Sequence, residues 1–226
     1  MKYEIFGETM PIVTFTLDKG ERIKSSAGAM KWMDDTVDME ASMDGGVGGF
    51  LKRKLMQESG MLNTYTARRD DSRVAFGHSY PGHIIPVNVA DSNLICQKRA
   101  YLCSTMDVEL EIAFQQKLGS GFFGGEGFIM QKLLGTGQAF VEIDGEVVEM
   151  ELEPGQTIKV ETGSVGMYEE SVNMDIRRVE GVKNMVFGGE GLFLTVLTGP
   201  GKVWLQTMPI QNMSGEIRPY LNIKNN

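Results

Sequence analysis

The sequence is short of the residues on which most site chemistry depends. It has two cysteines and two histidines in 226 residues. Cys96 and Cys103 are too few for a disulfide framework or a four-cysteine zinc site, so both are expected as reduced thiols in the core. His78 and His83 flank a Pro-Gly turn in GHSYPGHIIP, and a zinc site would need two more ligands. They read as turn residues, and no metal site is expected. Serine and cysteine are present, but no G-x-S-x-G elbow or other local context marks a nucleophile. Positive charge is also scarce: 22 Lys and Arg stand against 30 Asp and Glu, a formal net charge of −8. That balance works against broad attraction to nucleic acid or anionic lipid. No apolar run reaches the roughly eighteen residues of a membrane span. The opening MKYEIFGETMP has neither the apolar stretch of a signal peptide nor the Arg- and Ser-rich character of a mitochondrial leader, so a cytoplasmic protein is expected.

Glycine and methionine, at 28 and 16 residues, are plentiful. Methionine suits an adaptable core or interface, and the glycines cluster. FGGEG occurs at Phe123–Gly127 and again at Phe187–Gly191. Before the first copy, Gly119, Gly121 and Gly124 meet the spacing G-x-G-x-x-G. A dinucleotide site needs a helix after that loop, its positive end aimed at the pyrophosphate. Here EGFIMQKLLGTGQAF turns again too soon, so it predicts a strand and no cofactor.

The two copies extend far beyond five residues. FFGGEGFIMQKLLGTGQAFVE from Phe122 aligns without a gap on VFGGEGLFLTVLTGPGKVWLQ from Val186, at an offset of 64. Leu133 meets Leu197, Gly135 and Gly137 meet Gly199 and Gly201, and Phe140 meets Trp204. A fainter copy, QESGMLNTYTA, sets Glu58 opposite Glu190. A separate block, IKSSAGAMKWMDDTVDME from Ile23, aligns on IKVETGSVGMYEESVNMD from Ile158 at an offset of 135. Val108-Glu109-Leu110-Glu111 takes the place of Val37-Asp38-Met39-Glu40 at an offset of 71, so the registers agree. The chain reads as one all-β domain of three repeats of about 65 to 70 residues, approximately 3–76, 77–143 and 144–209, arranged as antiparallel β-sandwich or barrel units with pseudo-threefold symmetry, followed by a C-terminal tail, 210–226.

Within each unit apolar residues alternate with charged ones, as in Val108, Leu110 and Ile112 against Glu109 and Glu111. That period means half-buried antiparallel strands. Asp18-Lys19-Gly20, Pro81-Gly82, Asp144-Gly145, Pro154-Gly155 and Pro200-Gly201 mark turns between them. One short helix is expected, at Gly48–Met56. Glu58, Glu126 and Glu190 recur as turn carboxylates, suited to accepting bonds from backbone N–H groups at a tight corner; a ring of three carboxylates binding a cation or basic partner is the other reading. Lys52, Arg53 and Lys54, with Arg68 and Arg69, form a candidate basic patch. Aromatic side chains for base stacking are not interleaved with it. Phe122, Phe123 and Met185-Val186-Phe187 suit an oligomer contact.

GGFLKRKLMQESGML, HSYPGHIIPV and above all FGGEGLFLTVLTGPGKVWLQTMP closely resemble the altered-inheritance-of-mitochondria protein twenty-four family, from about Tyr3 to Pro209. The resemblance implies an all-β fold similar to the tryptophan RNA-binding attenuation protein, internal triplication, and assembly into trimers or larger rings. It carries no catalytic residues. The expected function is a non-catalytic, homo-oligomeric scaffold or interaction protein without cofactors; the alternative is binding of a small ligand or single-stranded RNA.

Overall fold

A computed structural model of the chain describes residues 1–42, 62–77, 80–116, 127–178, 193–217 and 220–221. The described residues are almost entirely strand. In chain order these are β1 (Lys2–Phe6), β2 (Ile12–Leu17), β3 (Arg22–Ser26), β4 (Met30–Met33), β5 (Val37–Ser42), β6 (Leu62–Ala67) and β7 (Ser72–Phe76). Then come β8 (Gly82–Asn88), β9 (Leu94–Gln97), β10 (Tyr101–Thr105), β11 (Val108–Gln116), β12 (Phe128–Gly135) and β13 (Gln138–Asp144). The last are β14 (Val147–Leu152), β15 (Thr157–Glu161), β16 (Val165–Glu169), β17 (Asn173–Arg178), β18 (Phe193–Thr198) and β19 (Gly201–Gln206), followed by one helix, α1 (Ile210–Ile217). The strand predicted after the glycine cluster is β12.

Contacts group the chain into two compact units. The first takes Met1–Ser92, Arg99–Glu111 and Leu133–Glu142. It holds a four-stranded sheet, β1-β2-β7-β4, and a six-stranded sheet, β5-β6-β3-β10-β13-β8. β2 shows why the sequence folds this way: Val13, Phe15 and Leu17 point inward and are fully buried while their neighbours are half-buried. Antiparallel pairing sets Val13 against Phe76 and Phe15 against Val74. The Phe15 and Phe140 rings meet edge to face at 5.0 Å, as do Tyr65 and Phe76. Each buried ring contributes on the order of 2–3 kcal/mol through removed apolar surface, and edge-to-face geometry adds to it.

The second unit takes Asn93–Lys98, Ile112–Lys132 and the chain from Ile143 onward. It holds a six-stranded sheet, β11-β12-β9-β16-β19-β14, and a three-stranded sheet, β15-β18-β17. Phe128, Met130, Leu152, Val165, Leu197 and Val203 form the centre of its core. The alternation read in the sequence is present in β11, where Glu109 and Glu111 are exposed and Val108 is buried. Raising every strand number in the first six-stranded order by six gives the second.

Turn glycines fall where the sequence places them. Gly20, Gly145 and Gly155 all have positive φ, at +83°, +71° and +78°. The Gly-x-Gly hairpins use different glycines: Gly135 is left-handed in the first, at φ +108°, and Gly201 in the second, at φ +135°. A Cβ on Gly135 would sit 1.9 Å from the Asp107 carbonyl oxygen, so both torsion and close approach require glycine there.

The helix α1 lies in the segment read from sequence as a tail. Ile210, Met213 and Ile217 recur at helical spacing after Pro209, a weak signal at only eight residues. Its first N–H, from Ile210, donates to Asp144 Oδ2 at 3.0 Å, which places a carboxylate at the positive end of the helix. Asn212 Nδ2 donates to Glu161 Oε2 at 3.0 Å. The helix expected at Gly48–Met56 lies outside the described residues.

Candidate functional site at the open sheet edges

Several residues singled out from sequence lie outside the described residues: Glu58, Glu126 and Glu190, Lys52, Arg53 and Lys54, the Phe122 and Phe187 loops, His78, and the Gly119–Gly124 cluster. Arg68, from the second basic spot, is described. Its Nε is 3.2 Å from Asp38 Oδ1 and its guanidinium donates to the Asp35 carbonyl, so it is one half of an exposed ion pair. Cys96 and Cys103 are free, fully buried thiols, as expected. Burial pushes the Cys96 thiol up to about 12 and raises the Cys103 thiol well above its ordinary value. Both are held as inert thiols rather than nucleophilic thiolates.

Three carboxylates among the described residues are shifted downward. Arg73 beside Asp34, through its side chain and then its backbone N–H, holds that carboxyl below 3.8. Lys202 and then the Trp204 indole hold Glu149 below 4.5. A hydrogen bond from the N-terminal ammonium does the same for Glu21. These groups are fixed as anions, the opposite of what a general acid at neutral pH requires.

The most distinctive geometry is at the sheet edges. At the middle of the first six-stranded sheet, β3 and β10 pair with Ser25 opposite Cys103, Lys24 opposite Ser104 and Ile23 opposite Thr105. At the middle of the second, β9 and β16 pair with Cys96 opposite Met167, Ile95 opposite Tyr168 and Leu94 opposite Glu169. The four-stranded sheet ends at β4 and the three-stranded sheet ends at β15. Among the described residues neither has a strand on its outer side.

The end strand β4 resembles the central strands β10 and β16 in its ladder. β4 pairs with β7 through a ladder that slips between Met30 and Trp32. The β10·β13 ladder slips between Tyr101 and Cys103, and the β16·β19 ladder between Val165 and Met167. The residues passed over, Lys31, Leu102 and Gly166, are separated by 71 and then 64 positions. Those are the offsets of the sequence alignment. Burial is where the strands part: Cys103 and Met167 are 0% exposed, whereas Trp32 is 37% exposed. Its ring lies 5.4 Å from the Arg73 guanidinium carbon, and Arg73 Nε reaches Asp34 Oδ2 at 3.3 Å. On β15, Thr157 and Lys159 are exposed and Val160 turns inward. A strand at the end of a sheet is a template for adding another strand.

A family model described as mitochondrial biogenesis AIM24 matches residues 3–208. The chain belongs to the AIM24 family. A relative, an uncharacterized protein of Streptococcus pyogenes serotype M6, is 22% identical over 224 residues, covering 96% of this chain and 89% of its own. A crystal structure of a Streptococcus pyogenes protein, a structural-genomics target, is similar with a TM-score of 0.80 at 19% identity, covering 97% of this AIM24-family chain and 99% of that one. At that identity the likeness shows the fold. No described helix is long and apolar enough to cross a membrane, and among the described residues no group of three His, Cys, Asp or Glu is placed to hold a metal ion.

The significance of β4 and β15 rests on the repeat read from the sequence. Sequence reading did not find the edges, because alternation shows that a segment is a strand without showing which strand lies beside it.

Proposed function

We propose that this protein is a non-catalytic, homo-oligomeric scaffold or interaction protein of the cytoplasm, built of three strand-sharing copies of one unit and assembling into trimers or larger rings. The observation that carries this reading is strand order. Each six-stranded sheet joins three strands from one sequence repeat to three from the next. The same rule predicts a third sheet, from β17-β18-β15 and β4-β7-β2, of which the structure holds two halves. A chain that leaves half-sheets has edges to satisfy, and association is a common way to do so. We extend this reading to an architecture similar to the tryptophan RNA-binding attenuation protein.

Native mass spectrometry of protein taken gently from its own cells tests the reading. Clean multiples of 25.0 kDa are the expected outcome. A monomer would overturn it. Added mass that disappears on denaturation would point instead to a bound small ligand or RNA.

A further inference from the structure

We propose that the outer edge of β15 on one copy of this chain pairs antiparallel with the outer edge of β4 on another, in a single register, with Trp32 opposite Val160. This rests on the homo-oligomeric reading and supplies its contact. The register follows from pairings the structure already holds. Advancing Ser25 of the β3·β10 pair to its repeat counterpart gives Val160, and moving Cys103 back gives Trp32. Starting instead from Cys96 and Met167 of the β9·β16 pair gives the same two residues. Continuing along either pair sets Met33 opposite Lys159 and Asp34 opposite Ile158. Two independent ladders therefore predict one register, although the offsets leading to them differ.

The chemistry of the edges fits. Trp32 against Val160 is an aromatic and β-branched cross-strand pair, a favourable combination. Pairing would also cover Trp32, whose counterparts Cys103 and Met167 are fully buried. An exposed tryptophan held by an arginine is the residue type that most often dominates an interface. The occupant is a second copy: among the described residues β4 and β15 each end their sheet, and a second copy supplies the complementary edge for each.

The test is disulfide cross-linking between singly substituted full-length chains carrying different tags and co-expressed. One pairing combines Trp32→Cys with Val160→Cys; the other combines Met33→Cys with Lys159→Cys, which avoids the inward-facing valine. Adjacent antiparallel pairs alternate between wide and close spacing, so one of the two combinations has the closer geometry a disulfide needs. Cys96 and Cys103 are buried and stay out of the reaction. Under mild oxidation at least one combination is expected to give a reducible species of twice 25.0 kDa carrying both tags, while neither variant alone gives it. A control combining Lys31→Cys with Val160→Cys, one residue out of register, is expected to give at least tenfold less. An oligomer by native mass with no cross-link in either combination would overturn this contact and leave the scaffold reading standing. A monomer by native mass would overturn both.

Discussion

Phe140 and Trp204 occupy matching places in the sequence repeat, yet the structure gives them different surroundings. The difference can be tested as a pair of stabilities. Phe140 is 0% exposed. Its ring meets Phe15 edge to face at 5.0 Å and Tyr3 at 4.9 Å. Phe140→Ala removes a whole buried ring, and Phe15 beside it is itself buried, which restricts collapse of the cavity. The expected loss is about 3–5 kcal/mol. Trp204 is half-buried, and its Nε1 donates to Glu149 Oε2 at 2.8 Å on an exposed surface. Trp204→Ala leaves water free to solvate what remains, and about 1–2 kcal/mol is expected. The assay is urea unfolding followed by far-ultraviolet circular dichroism at one fixed protein concentration, since association shifts apparent stability by mass action. Two compact units can unfold in separate steps, so two transitions should be fitted wherever one does not suffice. The Phe140 change should fall on the transition that also responds to Phe15→Ala. A loss below about 1 kcal/mol for Phe140→Ala, or equal losses for the two variants, would refute the argument from burial.

Other expectations are independent of that one. Gly135→Ala should cost several times more than Gly155→Ala: both positions are left-handed, but a Cβ meets the Asp107 carbonyl oxygen at 1.9 Å in the first and nothing within 4 Å in the second. Thermal midpoints of the two variants will check this, and equal midpoints would count against it. Asp34 and Glu149 have folded pKa values depressed below 3.8 and 4.5. Their contribution to stability is present above those values and lost as pH falls through the depressed ones. Stability should therefore decline below about pH 4.5, and less steeply in an Asp34→Asn, Glu149→Gln double variant; parallel unfolding curves from pH 3 to 6 would contradict the assignment. With Cys96 held up to about 12 and Cys103 fully buried, an aromatic disulfide reagent at pH 8 should modify neither thiol in the folded protein and both in urea. Fast reaction of the folded protein would mean the core opens readily.

The limits of sequence reading show at particular residues. Val108, Glu109, Leu110 and Glu111 gave away β11 because a half-buried strand writes its two faces into alternate letters. Gly20, Gly145 and Gly155 gave away turns because few other residues tolerate positive φ. The helix α1 escaped because eight residues hold only two turns of pattern, and Asp144, which caps it, comes from far back in the chain. Pairing was harder still. Ser25 and Cys103 each read as core residues, but nothing local to either says they sit opposite one another. The matching letters of two repeats identify equivalent strands, whereas sheet partners are supplied by the neighbouring repeat.

That last distinction bears on what the chain can be. If each copy closed its own sheets, three copies would be three small domains, and any one could be removed with local consequences. Strand sharing works otherwise. β3 lies against β10 and β9 lies against β16, so on the proposed reading each copy depends on the next for half a sheet. On the three-copy reading, any chain of such units ends with one unmatched half-sheet at each terminus, however many copies it contains. On the proposed reading a partner presenting the complementary edge satisfies them. β4 and β15 are those edges. The exposure of Trp32, where its counterparts Cys103 and Met167 are fully buried, is the local mark of a rule applied to the whole chain.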